Sequence, residues 1–290
     1  MNTSNPQTVL LAGATGYLGS YIAKALVEEN FNTKLIARST KNLKFFESNT
    51  VKTIHAEVTK PETLKGICEG VTTVISTVGI TRQKDGLTYI DVDYQANLNL
   101  LNEAKRAGVK RFIYVSAING NKYRHLKIFE AKEKFVDALK SSGLEYVVIR
   151  PNGFFSDMKD FLDMAKNSKI YLFGNGEQKF NPIHGEDLAI VCLQAIKSTS
   201  NEIIVGGPDI LTLNEIGEMA LEAHQKPIKI IHLPDWVRKF LIWTVRTFTS
   251  AKTYGPIEFF LTLMAEDNIA PRFGTQRLYN FFKDTVETKK

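Results

Sequence analysis

A chain of 290 residues with 43% hydrophobic and 23% charged side chains is long enough to bury a full core and too apolar to remain disordered. Its formal charge is +6, but no run of five or more basic residues occurs, which argues against nucleic-acid binding and leaves cations enough for a small anionic ligand. Cys68 and Cys192 stand far apart in apolar helical patterns and match no metal or redox spacing, so they read as buried structural thiols.

The opening Met1-Asn2-Thr3-Ser4-Asn5-Pro6 has neither a basic start nor an apolar block, and no stretch of 18 apolar residues occurs. The expectation is a cytoplasmic protein without signal peptide or membrane span. Val9-Leu10-Leu11-Ala12 predicts a short buried strand, and residues 21–27 carry apolar side chains at helical spacing. Between them runs Gly13-Ala14-Thr15-Gly16-Tyr17-Leu18-Gly19, a strand-to-helix turn one insertion away from G-x-G-x-x-G. Two readings fit this turn. It is a cradle in which glycines admit a pyrophosphate to backbone N–H groups at a helix start, or it is a turn that only packs a helix on a strand.

Residues 33–37 predict a second strand, followed by Arg38-Ser39-Thr40-Lys41. An NAD-binding unit places an acidic side chain about 20 residues beyond the glycines, for the ribose 2′-hydroxyl. Here Arg38 occupies that place, with Lys41 near, and a guanidinium grips a 2′-phosphate that a carboxylate would repel. The expectation is NADP rather than NAD, against an arginine that only solvates a loop. A third strand over 51–56 leads to Glu57-Val58-Thr59, with Thr59 expected to cap a helix begun near Pro61. A fourth strand, 73–78, ends at Gly79, which brings Thr77-Val78-Gly79 close to a bound cofactor. One long amphipathic helix is predicted over 89–107, then a fifth strand over 111–115 ending at Ser116. A helix over 126–141, a sixth strand over 146–149 and Arg150-Pro151-Asn152-Gly153-Phe154-Phe155 follow. This alternation predicts an α/β fold, a doubly wound parallel sheet whose ligand sits beyond the carboxyl ends of the strands.

Past residue 155 the rhythm loosens into a helix near 157–165, a strand over 170–173, a Gly174-Asn175-Gly176 turn, and Thr212-Leu213-Asn214-Glu215, a capping box. The predicted division is a dinucleotide-binding domain over 1–155 and a smaller C-terminal substrate lobe over 156–290, interleaved with the same core.

The glycine pattern with Arg38, the stretch from Asn99 to Ser116, and Ile149-Arg150-Pro151 together resemble the extended and atypical short-chain dehydrogenase/reductases. Phe129-Glu130-Ala131-Lys132-Glu133-Lys134-Phe135 and residues 181–189 resemble the NmrA-like branch, which includes isoflavone reductase-like enzymes and divinyl chlorophyllide 8-vinyl reductases. The likeness covers residues 8–222. It implies a Rossmann fold binding NADP through Gly13, Thr15, Gly16, Tyr17, Leu18, Gly19, Arg38, Ser39, Lys41, Glu57, Val58, Thr77, Val78, Gly79, Lys132 and the turn Pro151-Asn152-Gly153-Phe154.

Short-chain reductases use a serine and then Tyr-x-x-x-Lys. Tyr123-Arg124-His125-Leu126-Lys127 matches that string but follows Ser116 too closely for the family spacing. The family-aligned lysine is Lys132, and Ile128 stands at the tyrosine position. At about 100° per residue, Ile128, Lys132, Phe135 and Leu139 share one stripe while Lys127, Glu130, Lys134 and Asp137 lie opposite. A lysine amid apolar neighbours needs a cofactor hydroxyl or a carboxylate, or else it snorkels to water. With the tyrosine missing, the proton donor is Lys132, a bound water or Tyr123. Ser116 either touches nicotinamide or substrate or caps a turn. His184 reads as a pocket-edge residue of structural role, Asp187 as a helix-start residue, and His125, His224 and His232 show no metal spacing.

Residues 234–248 place Trp236, Phe240, Trp243 and Thr247 on one helical side, with Arg238, Lys239 and Arg246 among them. Such a helix packs against residues 257–264, roofs a pocket for a large apolar substrate, or contacts a membrane surface. The expected function is NADPH-dependent reduction of a conjugated C=C or carbonyl group in a hydrophobic small molecule. The alternatives are a non-catalytic NmrA-type NADP sensor or scaffold, and an NAD(P)-dependent epimerase or isomerase.

Overall fold

A computed structural model describes residues 7–81 and 86–288, except the side chains of residues 42 and 45; the N-terminal hexapeptide discussed above lies outside them. Strand β1 (Thr8–Ala12) is apolar because both of its faces are covered, and its last four residues are buried. It runs into helix α1 (Tyr17–Glu28), whose Leu18, Ile22, Ala23 and Leu26 face inward. Strands β2 (Asn32–Ala37), β3 (Val51–His55) and β4 (Thr73–Ser76) follow, then a π-helical segment (Ile90–Ala96) continuous with α2 (Asn97–Arg106). After these come β5 (Arg111–Val115), α3 (Lys127–Lys140), β6 (Glu145–Pro151), α4 (Lys159–Ala165), β7 (Ile170–Phe173) and β8 (Lys179–Phe180). The chain finishes with α5 (Gly185–Gln194), β9 (Glu202–Val205), β10 (Leu211–Thr212), α6 (Leu213–Ala223), β11 (Ile230–Leu233), α7 (Asp235–Phe248), α8 (Ala251–Leu263) and α9 (Leu278–Glu287).

Seven strands form one sheet in the order β3-β2-β1-β4-β5-β6-β9, with parallel pairing from β3 through β6. This is a Rossmann-type sheet flanked by helices, with an additional C-terminal helical lobe. The strand order reverses between β1 and β4, the place where open α/β sheets leave a crevice for ligand. The chain divides into two compact units. One comprises residues 1–150 and 188–203, the other 151–187 and 204–290. Each has its own core: Leu10, Val74, Phe112 and Phe135 belong to the first, Phe161, Leu172, Ile216 and Phe282 to the second.

One local expectation is refined and one is corrected. Residues 89–106 are helical without interruption, as expected, but Ile90–Ala96 is π-helical: the Asn97 amide donates to the carbonyls of Val92 (3.3 Å) and Asp93 (3.0 Å), and the backbone there is wider than an α-helix. Thr59 caps nothing; its hydroxyl donates to the Glu57 carboxylate at 3.2 Å, and the segment Pro61–Leu64 is a single 3₁₀ turn. The capping box at Thr212 and Glu215 forms as expected, with both reciprocal bonds present. Cys68 and Cys192 are buried; burial pushes the Cys68 thiol up to about 12 and moves Cys192 in the same direction, so both are inert at neutral pH.

Candidate active site

The glycine turn sits at the reversal of strand order. Gly13 adopts φ +87°, and its carbonyl accepts the Gly16 N–H at 2.9 Å. Gly16 is the N-cap of α1, with no side-chain cap and no acidic residue in the first turn, so the positive end of the helix could receive an anion. A Cβ on Gly13 would collide with the Thr77 hydroxyl, and one on Gly19 with the Gly13 carbonyl. Thr77 is itself tied to β1, donating from its N–H and its hydroxyl to the Ala12 carbonyl, each at 3.1 Å. Backbone therefore packs on backbone here, Thr15 and Gly16 remain exposed, and the cradle fits a pyrophosphate. Gly19→Ala should cost about 1–3 kcal/mol by overpacking and should reduce the thermal shift on adding NADP. An unchanged shift would show that the turn takes no part in binding.

Arg38 and Ser39 are exposed just past β2, and Lys41 is exposed at the start of a 3₁₀ turn. Glu57 follows the neighbouring strand β3. Hydrogen bonding from Lys60 (2.7 Å) holds its carboxyl below the usual range, with the Thr59 hydroxyl and the charge of Arg38 adding to it. Val58 packs at the edge of the first core.

Lys132 lies on the inner stripe of α3, and its ammonium reaches the Oδ1 of Asp93 at 2.7 Å. The Asp93 side chain is 0% exposed and that of Lys132 13%. Asp93 Oδ2 accepts the Ile80 N–H at 3.2 Å, and Asn97 accepts from Ser76 (2.6 Å) while donating to the Val78 carbonyl (3.0 Å). The end of β4 is thus fastened to the π turn that carries Asp93. Gly79 closes the arrangement, since a Cβ there would come within 2.6 Å of Asp93 Oδ1 and 2.8 Å of Lys132 Nζ. Beside them the buried Tyr114 ring lies 5.9 Å from the ammonium. Burial alone would pull the Lys132 ammonium down; the Asp93 carboxylate outweighs it and holds the group above the ordinary lysine range. Burial pushes the Asp93 carboxyl up, against the pull of Lys132. Lys132 therefore stays protonated against the Asp93 carboxylate, a fixed cation rather than a ready acid.

Ser116 is buried at the end of β5, where its hydroxyl donates to Glu133 Oε1 at 3.3 Å. Glu133 is paired with Arg150 at 2.5 and 2.9 Å. The Tyr123 ring is buried and stacked on Phe129, whereas Lys127 ion-pairs with Glu130 at the surface. Ile128, at the family tyrosine position, is buried. In the second unit, Asn152 donates to Asn181 Oδ1 (2.8 Å) and to the Asn268 carbonyl (2.6 Å), Gly153 N–H donates back to Asn152, and Phe154 N–H donates to Asp157. Pro151 is the buried last residue of β6. His184 packs between the Phe155 and Phe281 rings, and burial lowers its pKa. Asp187 does more than start α5: it also accepts the N–H groups of Thr275 (3.1 Å) and Gln276 (3.0 Å). Among the described residues no cluster has metal-ligand composition.

Sequence reasoning missed Asp93. The signal was present: Asp93, Ala96, Asn97, Leu100 and Ala104 lie on one helical stripe, so a carboxylate and an amide interrupt an apolar face. Glu133 left a weaker trace, because its neighbours Lys132 and Lys134 suggest a solvated edge.

A model of the NAD(P)H-binding family matches residues 13–199. The chain is 27% identical to a chloroplastic divinyl chlorophyllide a 8-vinyl-reductase of Zea mays, across 96% of this chain and 79% of that protein. It is also 27% identical to the photosystem II assembly factor Ycf39 of Guillardia theta, across 65% of this chain and 60% of that factor's length. Among solved structures, AtPrR2 with NADP+ and (+)-pinoresinol superposes with a TM-score of 0.78 at 16% identity, covering 96% of this chain and 98% of that one. At that identity the likeness concerns the fold.

Proposed function

This chain belongs to the NAD(P)H-binding family, and on that premise we propose that it is an NADPH-dependent reductase of a conjugated C=C or carbonyl group in a hydrophobic small molecule. The observation that carries the reading is the buried Asp93–Lys132 pair beside Gly79, at the same sheet ends as the glycine cradle. A lasting positive charge at that place suits a reaction that builds negative charge on the acceptor. The similarity to a vinyl-reductase across nearly the whole chain supports a conjugated double bond as the acceptor.

In this reading Gly13, Gly16 and Gly19 admit the pyrophosphate, Arg38 and Lys41 hold the 2′-phosphate, and Lys132 holds a ribose hydroxyl. A bound nicotinamide supplies hydride. Lys132 polarises the acceptor and stabilises the enolate-like charge that forms on it. Asp93 keeps the ammonium protonated and aimed. With Ile128 in place of a phenol, and with Lys132 held protonated, the balancing proton comes from water.

Consumption of NADPH followed with conjugated enones, quinones and divinyl chlorophyllide a tests the reaction: at least one class should be reduced. Tight NADP binding with no acceptor reduced would favour the second reading, an NmrA-type sensor or scaffold, which Ile128 and the similarity to an assembly factor support. Cofactor choice is a separate measurement. Arg38→Asp should weaken NADP relative to NAD by about ten- to a hundredfold, the worth of a charge-assisted hydrogen-bond pair. An unchanged ratio would remove 2′-phosphate recognition from Arg38.

A further inference from the structure

Helix α7 has no buried residue. It packs against α8 and β7, and the side chains on that side, Val237, Ile242 and Val245, are half-buried. The opposite side is a stripe of Trp236 (66% exposed), Phe240 (57%) and Trp243 (56%), with Phe248 (74%) beyond it. The Phe240 and Trp243 rings stack at 5.8 Å and Trp243 meets Phe248 edge-on, so the aromatic side chains make a continuous surface. Large aromatics on a water-facing helix are costly to leave in contact with water, and this cluster is too contiguous to be scattered surface hydrophobicity.

Two further observations indicate what covers it. Residues 226–258 carry six Lys or Arg side chains against Asp235 and Glu258, a net of +4 in a chain whose total is +6. The basic charge that looked dispersed along the whole sequence is therefore concentrated in this segment, and Lys239 and Arg246 flank the stripe on one edge. The threonines of the helix have also turned their polarity inward. Thr244, Thr247 and Thr249 donate their hydroxyls to the carbonyls of Phe240, Trp243 and Val245 at 2.8, 2.8 and 2.6 Å. Thr247, which lies within the stripe, can thus enter an apolar boundary without losing a hydrogen bond.

We propose that α7 docks flat on an anionic lipid bilayer, with Trp236, Phe240 and Trp243 entering the acyl boundary and the flanking cations meeting lipid phosphates. A 14-residue helix is too short to cross a bilayer, which needs about 20 residues, and no helix among the described residues is long and apolar enough to span one. An in-plane aromatic face with a basic flank is the interfacial solution. This inference is independent of the reductase reading, because a soluble acceptor can be reduced whether or not the helix is docked.

The chain has two tryptophans, and both lie on the stripe, so tryptophan emission, excited selectively over tyrosine, reports this helix alone. The full chain should show a blue-shifted emission and should float with vesicles of phosphatidylcholine and phosphatidylglycerol, and do so far less with phosphatidylcholine alone. High salt should release it. Phe240→Ser keeps both reporters and should abolish the shift. Lys239→Gln with Lys252→Gln, which leaves Arg246 on its buried partner Glu258, should reduce partitioning about thirtyfold. Circular dichroism checks that the variants fold, and the salt dependence of the unmodified protein tests the same point without any variant. Emission unmoved by anionic vesicles would overturn the proposal. So would emission already blue-shifted in buffer with a concentration-dependent rise in mass, which would assign the stripe to a second copy of the chain.

Discussion

Lys132→Met should lower substrate-dependent NADPH oxidation by on the order of a hundred- to a thousandfold, the usual worth of a positioned charge stabiliser, while NADP still binds the glycine cradle. Methionine keeps the length and apolar stem of lysine on the inner stripe of α3 and removes only the cation. The companion variant separates placement from charge. In Asp93→Asn the ammonium loses its counter-charge, and burial, which alone pulls Lys132 down, becomes the dominant effect. The neutral amine then accumulates as pH rises, so kcat/KM should fall on the alkaline side. In the unmodified protein the Asp93 carboxylate keeps Lys132 charged above the ordinary lysine range, and no such limb from Lys132 should appear near neutrality. Parallel profiles for the two proteins would show that Asp93 does not act through Lys132. Full activity in Lys132→Met would remove Lys132 from the reaction altogether.

The second large effect concerns stability. Glu133 is fully buried and makes two hydrogen bonds with the Arg150 guanidinium, which is also joined to the half-exposed Glu202 at 2.5 Å. Burial opposes the charge on Arg150, and Glu133 is the largest single influence restoring it. Glu133→Ala would leave that guanidinium buried with Glu202, partly solvated, as its counter-charge beside the neutral Ala117 carbonyl, and should cost about 3–5 kcal/mol, read by urea unfolding. Glu202→Ala, at a side chain 46% exposed, should cost less than about 1 kcal/mol by comparison. The double variant Glu133→Leu with Arg150→Met should recover much of the loss, because removing a buried pair together is far cheaper than breaking it. If Glu133→Ala unfolds at the urea concentration of the unmodified chain, the pair contributes nothing to stability. Since Ser116 donates to the same carboxylate, its hydroxyl belongs first to this framework.

Periodicity and turn chemistry by themselves determined much of this protein. Alternating apolar runs with helical stripes between them imply a parallel sheet, because strands buried on both faces must be apolar throughout and their crossovers must cover them. The glycine turn, the capping box at Thr212 and Glu215, and the choice of Lys132 over Lys127 as the inward lysine are likewise local facts, set by spacing along one element. That Lys132 faces inward and meets a cofactor hydroxyl, a carboxylate or water was legible too; that the structure gives it a carboxylate was not. Asp93 reaches it only because β4, the π turn and α3 are brought together by the order of strands, and no spacing along the chain encodes that meeting. The same holds for Glu133 with Arg150, for the π geometry of Ile90–Ala96 where the Asn97 amide enters the ladder, and for the return of residues 188–203 to the first unit. Residues 234–248 illustrate the limit best. Their amphipathic pattern shows an aromatic side whatever it faces, and tertiary packing alone decided that α8 and β7 take the aliphatic edge and leave the aromatic one outside.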